Sequence, residues 1–344
     1  MTDDDDLWLE GPAPMASGEP DEGFFAQPTE GESEATTASP PPALRLVKPD
    51  ERSEPRAADG QRAAERHGVP SLAKTLNRVW SLSSRTERGK SLATGVDRLD
   101  RLIGGYRPRF VTVLGAETNW GKSSFAIMAV DINDRAGSRV LLVSAEDSEE
   151  TYGKRLAARR TGLSATKLRD DNLDEFERDR LFKAAASASA TPWFFDAVGK
   201  SAERTAAAVT ELCREERFDL VIVDYLQAFT AKAQDRRNEV TTVARLFADA
   251  IKTGGAAGLM LSQLKRLDGS REPNKFDLKE SGDIENASEH IIIGAFGSHA
   301  EDHFEEKKER RFVKLDKNKD GPKHPGRIWL SFDDDTASFR EVRT

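Results

Sequence analysis

Cysteine is nearly absent: Cys213 is the single one in 344 residues. That excludes an internal disulfide framework and any zinc cluster built on thiolates, and it fits a reducing, cytoplasmic setting. Cys213 itself reads as a small buried residue in a helix. No apolar run approaches the ~18–20 residues of a transmembrane helix, so no membrane association is expected. The first residues lack the positive charge of a secretory signal and carry Asp3 to Asp6 instead. His299 and His303 have helical i, i+4 spacing, but no third metal ligand accompanies them. With Glu301, Asp302, Glu305 and Glu306 around them, they read as a solvated loop. No internal repeat is present.

What is abundant is charge, 33% of residues, unevenly spread. Residues 1–60 hold 15 acids and 4 bases, a net of −11, whereas the whole chain is −8. The remaining residues are therefore net +3, and the acidic balance does not argue against nucleic acid as a partner. Residues 1–68 are rich in Asp, Glu, Pro, Ser, Gly and Ala, with only Leu7-Trp8-Leu9 and Phe24-Phe25 as apolar islands. Such a segment buries too little apolar area to offset its backbone entropy, so a disordered acidic tail is expected. It is either a solvating tail or a docking arm, Trp8 and Phe24-Phe25 reaching a basic apolar groove on a partner. Residues 69–88 follow as a helix and connector. Ser71 is a plausible N-cap, and Leu72, Leu76, Val79 and Trp80 share one face. A helix this short is marginal in water and needs something to dock on.

Residues 89–344 read as one α/β domain. Apolar runs recur at 110–114, 140–143, 193–195, 220–223, 258–261 and 291–293. Helical patterns separate the early ones, at 123–135, 149–159, 173–186, 202–215 and 239–253. This alternation predicts a parallel sheet with helices on both faces. After Ile293 the helical patterns cease, and 311–315 and 327–332 predict an antiparallel terminal pair.

Between the first run and the first helix lies Gly115-Ala116-Glu117-Thr118-Asn119-Trp120-Gly121-Lys122-Ser123-Ser124. Strand, loop and helix in that order suit a P-loop, whose backbone N–H groups cradle phosphate oxygens at a helix N-terminus. Lys122 would reach the β- and γ-phosphates of ATP, and the Ser123 hydroxyl would ligate Mg²⁺. Ala116 stands where the motif has its first glycine. Leu220-Val221-Ile222-Val223-Asp224 ends a strand on an acid, at the sheet edge where α/β ligands bind. Asp224 there would hold Mg²⁺ through a water. Glu146, just past the run 140–143, whose strand is expected next to the P-loop strand or near it, is placed to activate a water for γ-phosphate hydrolysis; an acidic loop with Asp147, Glu149 and Glu150 is the plainer reading. Gln263, after the run ending at Leu261, is either a γ-phosphate sensor or a polar loop entry.

In their order and spacing these motifs resemble the C-terminal RecA-like motor domain of DnaB-type replicative helicases, over residues 70–335. Further matching stretches are Thr94-Gly95, Leu99-Asp100, Gly104-Gly105, Asp224-Tyr225-Leu226-Gln227, Ser262-Gln263-Leu264-Lys265-Arg266, Leu278-Lys279-Glu280-Ser281-Gly282 and Lys317-Asn318-Lys319-Asp320-Gly321-Pro322. The family's own P-loop often begins with alanine, as at Ala116. The resemblance implies a RecA-like P-loop NTPase core using ATP and Mg²⁺, with Glu146 as the catalytic glutamate and Gln263 coupling nucleotide state to DNA loops. It implies Lys279, Glu280 and Gly282 along single-stranded DNA, and a homo-oligomer, a hexameric ring, whose linker helix docks on the adjacent subunit. Lys317 and Lys319 would enter the neighbour's nucleotide site in trans. Three departures stand out. Lys319 replaces the family's arginine finger, giving a point charge without a bidentate fork. The acidic tail occupies the place of the helical primase-binding domain. Glu117 and Trp120 replace a basic residue and a methionine. The alternative is a RecA-like DNA-dependent ATPase acting as a recombination mediator or helicase-loading factor without unwinding. A third reading, a nucleotide-binding assembly module without catalysis, is opposed by Lys122, Ser123, Glu146 and Asp224.

Overall fold

The structure is a computed structural model that describes residues 92–186, 192–266, 271–278, 284–297 and 310–342. The expected tail, the linker helix, the stretch with Lys279, Glu280 and Gly282, and the pair His299 and His303 lie outside the described residues.

Six strands form the parallel part of one nine-stranded sheet: β1 (Val111–Ala116), β2 (Val140–Ser144), β3 (Trp193–Asp196), β4 (Leu220–Asp224), β5 (Ala257–Gln263) and β6 (His290–Gly297). Antiparallel β7 (Arg310–Asn318), β8 (His324–Asp333) and β9 (Ser338–Glu341) extend it, in the order β3-β2-β4-β5-β1-β6-β7-β8-β9. The inner strands are unbroken apolar runs because each face is covered, and side chains alternate between the two. Val111, Val113, Val221 and Val223 face one core, beneath α6 (Ala202–Glu216) and α7 (Arg236–Gly254). Leu114, Leu220, Ile222 and Leu261 face the other, beneath α1 (Asp97–Ile103) and α2 (Lys122–Arg135). The remaining α-helices of the described residues are α3 (Glu149–Thr161), α4 (Ala165–Arg169), α5 (Glu175–Ala186) and α8 (Ile284–Ala287). Cys213 is buried in α6 against Gly254 of α7, close enough that a Cβ at Gly254 would meet its Cβ at 2.4 Å. Burial pushes its thiol up to about 11, so it is an inert packing group.

All six parallel strands and the five longer helices form where the periodicity places them. Not anticipated were α1, α4, α8 and β9, each of seven residues or fewer. One placement differs. The strand before Glu146, expected beside the P-loop strand or near it, is three places away, with β4 and β5 between β2 and β1. The crossover through α2 carries the chain past the positions of both before β2 is laid down.

Parallel register fixes what the site contains. Ser144 is level with Asp224, and Gly115 and Ala116 are level with Ser262 and Gln263. Hence the ends of β1, β2, β4 and β5 share one edge. Asn318 pairs with His290, at the start of β6, and so lies at the opposite edge.

Candidate active site

The P-loop runs from the end of β1 into α2. Gly121 has φ +102, a left-handed conformation that costs glycine little, and a Cβ there would also lie 3.0 Å from the Phe339 ring. At Gly115 the constraint is contact: a Cβ would sit 2.3 Å from the Leu278 side chain. No side chain caps α2, and its first turn has no acid. Its leading N–H groups and the positive end of its dipole are therefore available to an anion. By contrast α3, α6 and α7 are capped by Ser148, Ser201 and Asp235.

Lys122 folds back over the loop, its Nζ donating to the carbonyls of Ala116 (3.5 Å) and Glu117 (3.3 Å). Burial lowers the pKa of this ammonium, while Asp224 and Glu146 oppose that shift. Asp224 is buried at the end of β4, and desolvation raises its pKa against hydroxyl donors from Tyr152 and Ser123 and the charge of Lys122. The Tyr152 phenol donates to Oδ2 of Asp224.

Glu146 leaves β2 in a turn built by Ser144, whose Oγ accepts from the N–H of Glu146 (3.3 Å) and of Asp147 (3.1 Å). Of its acidic neighbours, Asp147 lines the same cleft and pairs there with Arg155 at 2.5 Å, and Glu150 pairs with Lys154 at 2.7 Å. Glu146 is exposed at the cleft mouth, and partial desolvation there raises its pKa, helped by Asp147 and Asp224 and resisted by Lys122 and Arg155. Gln263 donates from Nε2 to Thr118 Oγ1 of the loop (2.9 Å), and its N–H donates to Gln227 Oε1 (3.1 Å).

These groups line a cleft of about 430 Å³ that includes Lys122, Ser123, Glu146, Asp224 and Gln263. Gly115 and Ala116 end β1 behind the cleft lining, Glu117 lines a neighbouring cleft with Lys265 and Arg271, and three further expected residues are elsewhere. Trp120 turns its side chain into the core. It is fully buried, stacked on Phe339 with centroids 4.8 Å apart, and its indole N–H donates to the Ala295 carbonyl at 3.0 Å. Lys317 and Lys319 lie at the far edge. Lys317 donates to the carbonyls of Glu285 (2.5 Å) and Ser288 (2.7 Å), and Lys319 Nζ is 3.6 Å from Glu289 and largely exposed. Four cleft residues went unnoticed in the sequence: Arg155, Arg311, Phe332 and Asp334. Arg155 was findable, since it follows Tyr152 by three on one helical face. The others reach the cleft only through sheet register.

The site's oxygens suit a hard cation. One hydroxyl, Ser123, and one buried carboxylate, Asp224, sit beside a phosphate cradle, as Mg²⁺ bound largely by phosphates and water requires. Among the described residues no group of three or more His, Cys, Asp or Glu side chains could hold a metal alone. No helix among them is long and apolar enough to cross a membrane.

Comparison with known proteins gives a consistent picture. The family model for the DnaB-like helicase C terminal domain matches residues 91–341. The replicative DNA helicase DnaC of Bacillus subtilis is 25% identical over 272 residues, covering 76% of this chain and 59% of that protein. The replicative DNA helicase DnaB of Haemophilus influenzae is 27% identical over 290 residues, covering 79% and 61%. The chain thus spans roughly half to three-fifths of the length of such relatives. Among solved structures, the ATPase domain of G40P superimposes with TM-score 0.68 at 25% identity, over 79% of this chain and 99% of that one. A DnaB-like replicative helicase studied with primase gives TM-score 0.66 at 24% identity over 80% and 67%, a likeness of fold.

Proposed function

The chain belongs to the DnaB-like helicase C-terminal domain family, and from that premise we propose that it is an ATP-driven, ring-forming motor that moves on single-stranded DNA in replication. The observation that carries this reading is the convergence of Lys122, Ser123, Glu146, Asp224 and Gln263 on one cleft at one sheet edge. In it the P-loop amides and Lys122 would hold the phosphates, and Ser123 and Asp224 would hold Mg²⁺, which would supply neutralisation of phosphate charge. Glu146 accepts the proton of the attacking water. Arg155, lining the same cleft, would set positive charge beside the negative charge that develops on the transferring phosphate. Gln263, bonded to both the loop and Gln227, is positioned to pass nucleotide state along β5.

Two further observations favour assembly. Lys317 and Lys319 cannot serve their own chain's cleft from the opposite edge, so they act, if at all, on a neighbour's. Phe176 and Phe182 of α5 are 70% and 71% exposed, apolar area that a subunit contact would cover. DNA contact through Lys279, Glu280 and Gly282 would run along phosphates, and so be salt-sensitive and independent of sequence. The deciding assay measures ATP hydrolysis with and without single-stranded DNA, and strand displacement on a forked duplex. Stimulated hydrolysis with displacement is expected. Stimulation without displacement would instead support the mediator or loading reading, which the lysine at position 319 favours.

The trans role has its own test. Lys319→Ala should lower ring hydrolysis at least about tenfold, less than the ~10³–10⁵ an arginine finger can supply. Mixing it with Lys122→Ala should restore part of the activity, because some interfaces then hold both intact halves. Equal loss in an isolated monomer would contradict the role. The acidic tail is proposed as a docking arm for a replication partner. Removing residues 1–68 should leave hydrolysis by the rest unchanged, and a large loss would show a part in catalysis.

A further inference from the structure

We propose that Tyr152 is a positioning residue for Asp224, fixing the carboxylate through which the cleft takes up a hydrated Mg²⁺. The inference rests on the nucleotide-site reading above and adds a residue to it. Tyr152 lies in α3, 3% exposed, and its phenolic O–H donates to Oδ2 of Asp224. The Phe194 ring of β3 packs against its ring at 5.6 Å, and the Arg155 guanidinium lies 5.5 Å from its centroid. With its ring held on these sides, the phenolic oxygen stays against Asp224, where the Ser123 and Ser144 hydroxyls also reach it.

Asp224 has need of such a donor. It is 2% exposed at the end of an interior strand, where water does not solvate a carboxylate freely. An ionised carboxylate rotates about its last torsion unless an oxygen is held, and it offers about four lone-pair positions. The Tyr152 O–H engages one oxygen and stabilises the charged form. The other oxygen can then face Ser123 and the metal's water shell in a fixed direction. The same bond joins α3, which carries Arg155, to the metal side of the cleft. Partners that orient a metal-binding group matter almost as much as the group itself, and their loss costs about 10–100-fold in metal affinity.

Tyr152→Phe separates this role from packing, because phenylalanine keeps the ring against Phe194 and removes only the O–H. The experiment titrates Mg²⁺, and in parallel Mn²⁺ followed by its own paramagnetic signal, into full-length protein with a fluorescent ADP analogue. In Y152F the divalent midpoint should rise about tenfold, while analogue affinity without metal stays within about twofold of wild type. A second readout is the divalent concentration that half-restores the nucleotide-induced rise in melting temperature, and it should move by the same factor. An unchanged midpoint overturns the proposal. So does an equal loss of metal-free affinity, which would mean general damage to the cleft. Wild-type protein that binds no nucleotide would overturn the site reading itself, and this inference with it.

Discussion

Glu146→Gln should bind ATP as the wild type does and hydrolyse it about 10²–10⁴ times more slowly, the usual worth of a general base. Glutamine keeps the shape and removes the proton acceptor. The backbone should not move, because Ser144 Oγ holds the N–H of residues 146 and 147 whatever the side chain. Asp147 cannot substitute, since it is committed to Arg155. The pH profile supplies an independent check. A general base works when deprotonated, and partial desolvation, with Asp147 and Asp224 close by, raises the pKa of Glu146 above its ordinary 4.5. Turnover should therefore begin to fall, as pH drops, at a higher pH than an ordinary glutamate would dictate. The glutamine variant should lack that acid limb. Saturating-ATP rates across pH, set beside equilibrium ATP binding, test both points. Normal turnover in the variant would remove Glu146 from the base role.

Most of the fold was legible because the inner strands are buried on both faces and so read as plain apolar runs. Much of the cleft was legible too, because parallel register brings the ends of several strands to one edge. Glu146, Asp224 and Gln263 each follow such an end, and the P-loop follows another. What stayed hidden depends on how distant segments meet. Strand β9 has four residues, too few for period two to show, yet its Phe339 supports the P-loop from below. Phe332 and Asp334 enter the cleft only because β8 is laid antiparallel beyond β7. The acids after β2 looked alike in sequence. Arg155 and Lys154 separate them, by forming ion pairs with Asp147, at the cleft, and with Glu150. Trp120 was ambiguous for a related reason: a loop residue beside Gly121 can face a ligand or the core, and only β6 and β9 show which.

Trp120→Ala should produce the largest stability loss of any single change in the loop, about 3–5 kcal/mol, as for burying nothing where a large aromatic stood. Three interactions go together. The indole stacks on Phe339 at 4.8 Å and lies 6.0 Å from the Phe125 ring. Its N–H bond to the Ala295 carbonyl is lost. The close seat over Gly294, where a Cβ would come within 2.8 Å of the indole, becomes a void. For a domain of this size that corresponds to a fall in melting temperature on the order of 10 °C. Function should suffer beyond stability, because Trp120 immediately precedes Gly121 and Lys122 and pins the start of α2 to β6. Nucleotide affinity should drop even well below the melting temperature. Trp120→Phe keeps a stacking ring and loses the N–H, so it should fall between alanine and wild type in both measurements. Thermal melts and nucleotide titrations of the two variants decide the matter. If alanine melts within about 2 °C of wild type, the indole is not the anchor of the loop, and the glycines and Lys122 must hold its shape unaided.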